Sequence, residues 1–171
     1  MKDMTSTQRK ATAGTYRRLA TMIASGKRVL DYGAGLCHGA EILGADTFEP
    51  CPQVGVEPTY TKAADIPYGV YDAVVCNCVL NVIASPEARQ GVIKHIVSLL
   101  RPNGIALIMV RSHADIRGIK HATPEGDGVR TSTGSFQRGF THQELTSLVP
   151  GEVKAEKLDG ISSIGILLTV A

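Results

Sequence analysis

The segment VLDYGAG, residues 29–35, combines an apolar strand pattern with one acid and two glycines. Glycine adopts backbone conformations that other residues avoid, so the chain can turn sharply after Asp31 and approach a ligand closely. In open α/β sheets, ligands bind beyond the carboxyl ends of the strands, where this segment is expected to lie. It is therefore predicted to bind a nucleotide-like cofactor. The predicted loop residues are Asp31, Tyr32, Gly33, Ala34 and Gly35.

The cofactor that suits this loop carries a positive charge. A dinucleotide site needs a third glycine at position 38, where this chain has histidine. S-adenosylmethionine (SAM) has a ribose and an adenine but no pyrophosphate, and its ammonium and sulfonium groups favour a neighbouring carboxylate such as Asp31. Glu49, at the end of the next predicted strand, is placed to accept hydrogen bonds from both ribose hydroxyls. Glu57 is the alternative if the second strand is QVGVEP.

Four segments in order resemble the motifs of class I SAM-dependent methyltransferases. They are VLDYGAG, FEP, AADIPYGVYDAVVCNCVLNVI and LLRPNGIALIMV, and together they span residues 28–110. The resemblance implies a Rossmann-like fold, SAM as cofactor and methyl transfer as the reaction. Cys37 departs from the pattern, because many relatives have a third glycine there.

The resemblance also assigns parts of the cofactor to residues of this chain. The glycine loop with Asp31 would line the methionine moiety, and Glu49 with Pro50 would line the ribose. The remaining implied contacts are Asp65 and Ile66 with the adenine edge, and Asn77 and Cys78 with the sulfonium end and the substrate entrance.

A narrower similarity concerns VLNVI followed by Pro86 and Arg89, together with GSFQRGFTHQEL at residues 134–145. These segments are similar to methyltransferases associated with DNA phosphorothioation gene clusters. The similarity implies a link to DNA modification or phage defence and identifies no methyl acceptor.

The acceptor side is expected beyond Asn77 and in the loop after Val110. The sulfonium is already activated, so alignment of the acceptor supplies much of the rate, and no catalytic residue is obligatory. If the acceptor carries a proton, His113 and His121 are the candidate bases. The predicted substrate-side residues are Asn77, Arg111 and His113. Asn77 is not followed by the prolines and aromatic ring that hold a flipped base, which disfavours adenine-N6 chemistry.

Charge is unevenly distributed along the chain, although the formal net charge is only +2. Residues 1–28 contain seven Lys or Arg and one acid, and residues 111–142 contain five cations and three acids. Either a solvated surface or a phosphate-binding surface explains this pattern, so nucleic acid is a candidate partner. The four cysteines form no CxxC pair, which favours reduced thiols over zinc or disulfides. No apolar run is long enough to span a bilayer, so we expect a cytoplasmic protein without a metal or membrane partner.

Alternating strand and helix patterns predict one α/β domain over residues 1–171. We expect a doubly wound, Rossmann-like sheet that is mostly parallel, has helices on both faces and ends in an antiparallel hairpin. A weak third strand is predicted at AADI, and a helix from Ser85 to Asn103–Gly104. Residues 1–27 are predicted as a helical segment. Residues 111–142 are predicted as a substrate-side loop and the start of a short helix, because residues 111–135 show no periodicity.

Two alternatives from other functional classes remain at this point. A SAM lyase or hydrolase would use the same cofactor site without an acceptor pocket. A non-catalytic module would bind SAM or nucleic acid and perform no chemistry.

Overall fold

The computed structural model describes residues 13–159 and 163–171. Helices and strands alternate through most of the first two thirds of these residues, except that only a 3-10 turn lies between the second and third strands. The first part of the predicted helical segment, residues 1–12, lies outside the described residues. In chain order the elements are α1 (Ala13–Ala20), β1 (Val29–Tyr32), α2 (His38–Leu43), β2 (Asp46–Phe48), β3 (Tyr71–Asn77), α3 (Pro86–Leu99), β4 (Leu100–Val110), α4 (His113–Arg117), β5 (Thr123–Glu125), β6 (Gly128–Arg130), β7 (Phe136–Gln137), α5 (His142–Thr146), β8 (Lys154–Lys157) and β9 (Ile164–Thr169).

The main sheet has six strands in the order β2-β1-β3-β4-β9-β8. Strands β1 to β4 pair in parallel, and β9 runs antiparallel between β4 and β8. The chain leaves β1 towards β2 and then crosses to the other side of β1 to form β3. This reversal creates a topological switch point between β1 and β3, where ligands of such sheets bind. The predicted fold class, including the terminal antiparallel hairpin, is confirmed.

Both faces of the sheet are covered, which explains the nearly continuous apolar runs of β3 and β4. On one face, Tyr16 and Leu19 of α1 pack with Val75 of β3 in one hydrophobic cluster. On the other face, residues of α3 and α5, including Ile93 and Leu145, pack in a second cluster. The alternation of side chains along the strands therefore separates two cores, and helices cover both, as predicted.

Helix α3 begins as the sequence predicts and ends earlier. The Ser85 hydroxyl accepts a hydrogen bond from the Ala88 N–H at 3.1 Å, and proline occupies the first turn, where its missing N–H costs nothing. The helix ends at Leu99, because Leu100 already pairs with Tyr71 at the start of β4. Asn103, with φ of +63°, therefore lies within β4 and does not close the helix.

Two other predictions from the sequence are wrong. AADI is not a strand, because Ala63–Asp65 form a single 3-10 turn. Residues 111–135 are not an irregular loop: they contain α4, and β5 and β6 form a small antiparallel sheet with β7. These strands are two or three residues long, too short to show the alternation that predicts a strand.

Buried Arg89 of α3 fixes this small sheet to the domain. Its guanidinium donates to the carbonyl oxygens of Ile83 and Ala84, both at 2.8 Å. It also makes a bidentate contact with Asp127, in the turn between β5 and β6, at 2.7 and 2.6 Å. The Arg89 hydrogen bonds hold the pKa of Asp127 below its usual range. The position of the β5–β6 hairpin therefore depends on the Asp127 carboxylate and on the buried Arg89 that binds it.

Substitution of this carboxylate should loosen the small sheet selectively. Asp127→Ala leaves the Arg89 guanidinium with only its carbonyl partners, so we expect a loss of about 1–3 kcal/mol in the free energy of unfolding. Amide hydrogen exchange should accelerate at residues 123–137 and stay unchanged in β1 and β3. Exposed Glu152→Ala is the control, and uniform exchange in both variants would contradict the anchoring role.

Candidate active site

The carboxyl ends of the four parallel strands bring together most of the predicted site residues. Asp31 lies near the end of β1, and Glu49 directly follows β2. Asn77 ends β3, and Arg111 directly follows β4. Because β1 pairs with both β2 and β3, Asp31 has Glu49 on one side and Asn77 on the other, at the switch point.

The glycine loop adopts a turn that side chains would obstruct. Gly33 has a φ of +78°, and a Cβ there would lie 2.3 Å from Cγ2 of Val79. The N–H groups of Gly33 and Ala34 both donate to the Phe48 carbonyl, at 2.8 and 2.9 Å, which ties the turn to β2. Cys37 has a φ of +61°, a region that favours glycine. Cys37 therefore replaces the usual third glycine at a position whose backbone conformation glycine would adopt with less strain.

Glu49 is buried and held by backbone N–H groups. Its two carboxylate oxygens accept hydrogen bonds from Gly35 at 2.9 Å and Cys51 at 3.1 Å. Each oxygen has a second lone pair that can accept a further hydrogen bond. The second strand is Asp46–Phe48 and not QVGVEP, so Glu57 is an exposed loop residue that does not end a strand.

Asp31 is completely buried, with an accessible surface of 0%. Its Oδ1 accepts a hydrogen bond from the Tyr16 hydroxyl at 3.2 Å, whereas its Oδ2 has no hydrogen-bond partner among the described residues. Burial raises the pKa of Asp31 to about 7; the Tyr16 hydrogen bond lowers it and the charge of Glu49 raises it. A buried carboxylate oxygen without a partner is costly, so it indicates a place for a cation or a donor.

Asn77 and Cys78 mark the end of β3. The half-buried Asn77 side chain interacts with the Tyr16 hydroxyl, on the same face of the sheet as Asp31. Cys78 has a φ of +60°, and its N–H donates to the Met109 carbonyl at 2.9 Å. Cys76 points to the opposite face, and burial raises the pKa of its thiol, so it is a core residue and not a nucleophile.

Two predicted cofactor residues, Tyr32 and Ile66, have side chains that are buried in the core. The Tyr32 hydroxyl contacts His95 Nδ1 at 3.0 Å on the face opposite to Asp31. Ile66 is 1% exposed within the core, and Asp65 is exposed on the 3-10 turn. The backbone of Tyr32 remains part of the glycine loop, but its side chain belongs to the core.

Asn81, which was not among the predicted site residues, joins the segments that contain Arg111 and Arg138. This buried side chain accepts from the Arg111 N–H at 3.1 Å and donates to the Arg138 carbonyl at 2.6 Å. The Arg138 N–H donates back to the Asn81 carbonyl at 2.8 Å. The sequence does contain a signal for this role, because VLNVI has one asparagine among apolar residues. A buried amide must have hydrogen-bond partners, so this asparagine predicts contacts with other segments.

His113 forms a pair with Glu144, another residue that the sequence analysis missed. His113 Nε2 and Glu144 Oε2 are 2.7 Å apart. Partial burial opposes ionisation of Glu144, but the Thr141 N–H and His113 outweigh it and lower the pKa of Glu144 to about 2. Thr141-x-x-Glu144 is a capping box at the start of α5, a pattern visible in the sequence. His121 has no hydrogen bond or ion pair with these residues in the parts of the chain that are described.

Most cations of residues 111–142 contact partners within the protein. Arg138 lies 2.8 Å from Asp127 and 3.2 Å from Glu144, and Arg130 pairs with Glu125. Arg111 donates to the Gln137 side chain at 3.2 Å. Much of the positive charge of this segment is therefore used in contacts within the protein, and the segment is not simply a set of solvated cations.

Within 13–159 and 163–171, no group of three or more His, Cys, Asp or Glu side chains could hold a metal ion. No helix in these ranges is long and apolar enough to cross a membrane. All four cysteines are free thiols.

Comparison with known families gives a match to the family described as "Methyltransferase domain" over residues 4–148. This match spans more than half of the chain. The chain belongs to this methyltransferase family. No curated protein matches the sequence.

Solved methyltransferases share this fold at low sequence identity. A sugar N-methyltransferase from Streptoalloteichus is 17% identical, with a TM-score of 0.67 over 94% of this chain and 87% of that one. A SAM-bound amino pentose methyltransferase from Micromonospora echinaspora is 15% identical, with a TM-score of 0.64 over 93% and 90%. A SAM-dependent methyltransferase from Bacteroides fragilis, in complex with S-adenosylhomocysteine, is 17% identical, with a TM-score of 0.65 over 91% and 77%.

The buried acid of this methyltransferase should make its stability depend on pH. Native Asp31 retains a proton up to about pH 7 that the unfolded chain releases near pH 4. Relative to Asp31→Asn, the wild-type free energy of unfolding should therefore fall by about 1.4 kcal/mol per pH unit between these values and level off above them. Urea unfolding of both proteins from pH 4 to 8 measures this difference, and a constant difference would contradict the raised pKa.

Proposed function

We propose that this chain is a SAM-dependent methyltransferase that binds its cofactor across the carboxyl ends of β1, β2 and β3. The observation that carries the proposal is the buried Asp31 oxygen without a partner among the described residues, next to a turn in which Gly33 and Gly35 have positive φ. The family match supports methyl transfer, and the SAM and S-adenosylhomocysteine complexes of similar folds support the cofactor. We further propose that residues 1–171 form one domain.

The residues at the strand ends fit the two polar ends of SAM. Buried Asp31 suits the positively charged methionine end, because an unpaired carboxylate in a low-dielectric site gains most from a cation. Glu49 suits the ribose, because backbone N–H groups fix its carboxylate and leave lone pairs for hydroxyl donors. Asn77, which follows the switch point on β3, would lie between the methionine end and the acceptor.

Bound SAM supplies an activated methyl group on a sulfonium. The protein must then orient the acceptor in line with the methyl–sulfur bond and exclude water, which accounts for much of the rate enhancement. Asn77, Arg111 and His113 are the proposed acceptor-side residues. Glu144 holds one nitrogen of His113, so the other nitrogen can accept a proton from an acceptor that must lose one.

The narrower proposal is a role connected with DNA modification or phage defence. It is supported by the segments VLNVI and 134–145, which are similar to methyltransferases of DNA phosphorothioation gene clusters. Four residues of these segments contribute to one network of contacts beside the proposed acceptor side, namely Asn81, Arg89, Arg138 and Glu144. DNA would contact the basic N-terminal segment and the 111–142 segment. The sugar N-methyltransferase and amino pentose methyltransferase of similar fold make a small amine the competing acceptor class.

The proposed cofactor site makes a direct prediction for binding. Glu49→Ala should lower SAM affinity at least about tenfold, because the ribose loses hydrogen bonds to a charged acceptor and the glycine turn loses its partner. Isothermal titration calorimetry measures the affinity. Glu57→Ala is the control, since Glu57 is also a glutamate followed by proline but is exposed on a loop. Equal losses in both variants, or unchanged affinity in Glu49→Ala, would refute the assignment.

Methyl transfer itself is tested with SAM carrying a tritiated methyl group. DNA, RNA and a metabolite extract are incubated in parallel, and the labelled fraction identifies the acceptor class. Label in DNA supports the DNA-modification proposal, and label only in metabolites contradicts it. Rapid formation of methylthioadenosine or homoserine lactone without an acceptor would instead identify a SAM-degrading enzyme.

The proposed base can be tested on the labelled acceptor. Glu144→Gln keeps the shape of the side chain and removes the charge that orients His113, so we expect kcat to fall at least about tenfold, as does His113→Ala. SAM affinity should not change in either variant. Glu152→Gln, on the exposed surface, is the control. Unchanged kcat in both variants would show that the acceptor needs no base from this pair.

A further inference from the structure

Tyr16 is a buried residue of α1 that contacts the proposed cofactor site. Its side chain is 4% exposed, and its hydroxyl donates to Asp31 Oδ1 at 3.2 Å. The same hydroxyl interacts with the Asn77 side chain. One phenol group therefore joins the two strand ends that flank the switch point, although α1 precedes both strands in the sequence.

The position of the Tyr16 ring depends on Gly39 of α2. A Cβ at position 39 would lie 2.2 Å from Cε1 and Cζ of the ring. Real carbon atoms do not approach this closely, so only glycine leaves space for the ring. Packing between α1 and α2 thus fixes the height of the phenol above the sheet, and with it the hydrogen bond to Asp31.

We propose that Tyr16 is a positioning residue for the cofactor, which acts through Asp31 by orienting its carboxylate and favouring the ionised form that binds a cation. The inference rests on the proposed SAM site. Tyr16 takes one carboxylate oxygen, so that the other, Oδ2, remains for the positively charged end of the cofactor. The N-terminal helix is thereby part of the cofactor site.

The ionisable groups around Asp31 explain why this hydrogen bond matters. Glu49 from the loop after β2 raises the Asp31 pKa, and the described cations do not offset it. The thiols of Cys37 and Cys76, which also experience the Asp31 charge, remain protonated because burial raises their pKa values. Burial likewise raises the pKa of Tyr16, so its hydroxyl stays a donor. Among these groups, Tyr16 is the one that favours the Asp31 carboxylate.

The test is the ratio of SAM dissociation constants for Tyr16→Phe and wild type, measured by calorimetry from pH 6 to 9. Phenylalanine keeps the ring against Gly39 and removes the hydrogen bond, so the Asp31 pKa should rise and the variant should need a higher pH to bind. We expect a ratio of about ten at pH 6.5 that falls below about three at pH 9. Use of a ratio cancels the titration of the SAM amino group itself.

Tyr71→Phe is the matched control, because Tyr71 is also buried and donates to an aspartate, Asp46, at 2.8 Å. This pair lies at the amino end of β3, and its loss should leave the ratio near one at every pH. Gly39→Ala is the second perturbation, since it displaces the Tyr16 ring and retains the hydroxyl. It should reproduce the pH-dependent loss of Tyr16→Phe, which keeps the proposal testable if either variant is unstable.

The outcomes separate this inference from the proposed function. If wild type does not bind SAM at any pH, the proposed function fails and the inference fails with it. If wild type binds SAM and the Tyr16→Phe ratio is constant across pH, Tyr16 has only a packing role and the inference alone is overturned. A ratio that rises towards low pH, absent in Tyr71→Phe, supports the positioning role.

Discussion

The Asp31 carboxylate lies inside the protein at the end of the central parallel strand, without contact with water. Burial of an ionisable group in this way lowers stability at neutral pH, so the surrounding residues must compensate or a ligand must bind. Residues 13–159 and 163–171 provide one donor, Tyr16, and leave the second oxygen without a partner. The glycine turn, the α1–α2 contact and the half-buried Asn77 are all arranged around this acid. The proposed cofactor site is therefore organised around an acid with one oxygen that lacks a hydrogen-bond partner among the described residues.

The proposed acceptor side uses charge differently, because its main ionic groups have partners within the protein. Arg89 and Arg138 converge on Asp127, and Glu144 joins Arg138 to His113. Asn81 connects this network to the end of β4 through Arg111. Such a network holds short strands that have too little apolar surface to fold alone. It also holds the proposed acceptor side in place, whereas the proposed cofactor side has an acid with one oxygen that lacks a partner among the described residues.

Apolar periodicity and glycine spacing predicted the main sheet, its helices and the position of Asp31 and Glu49, because these features depend on neighbours in sequence. The β5–β7 sheet could not be predicted, since its strands are too short and depend on Arg89, which is more than thirty residues away. Tyr16 was visible as part of an apolar helix face, but its hydrogen bond needs the three-dimensional approach of α1 to β1. Asn81 and Glu144 carried local signals, namely an amide among apolar residues and a capping box. Their distant partners could not be predicted, because only the fold brings them together.

The close contact between Tyr16 and Gly39 has a consequence for how this protein can evolve. A side chain at position 39 would occupy the space of the ring, so a change there is tolerated only with a smaller residue at position 16. A smaller residue at 16 would in turn leave Asp31 without its donor. Substitutions at positions 16, 31 and 39 should therefore be coupled in related sequences, although the three residues belong to three different secondary-structure elements.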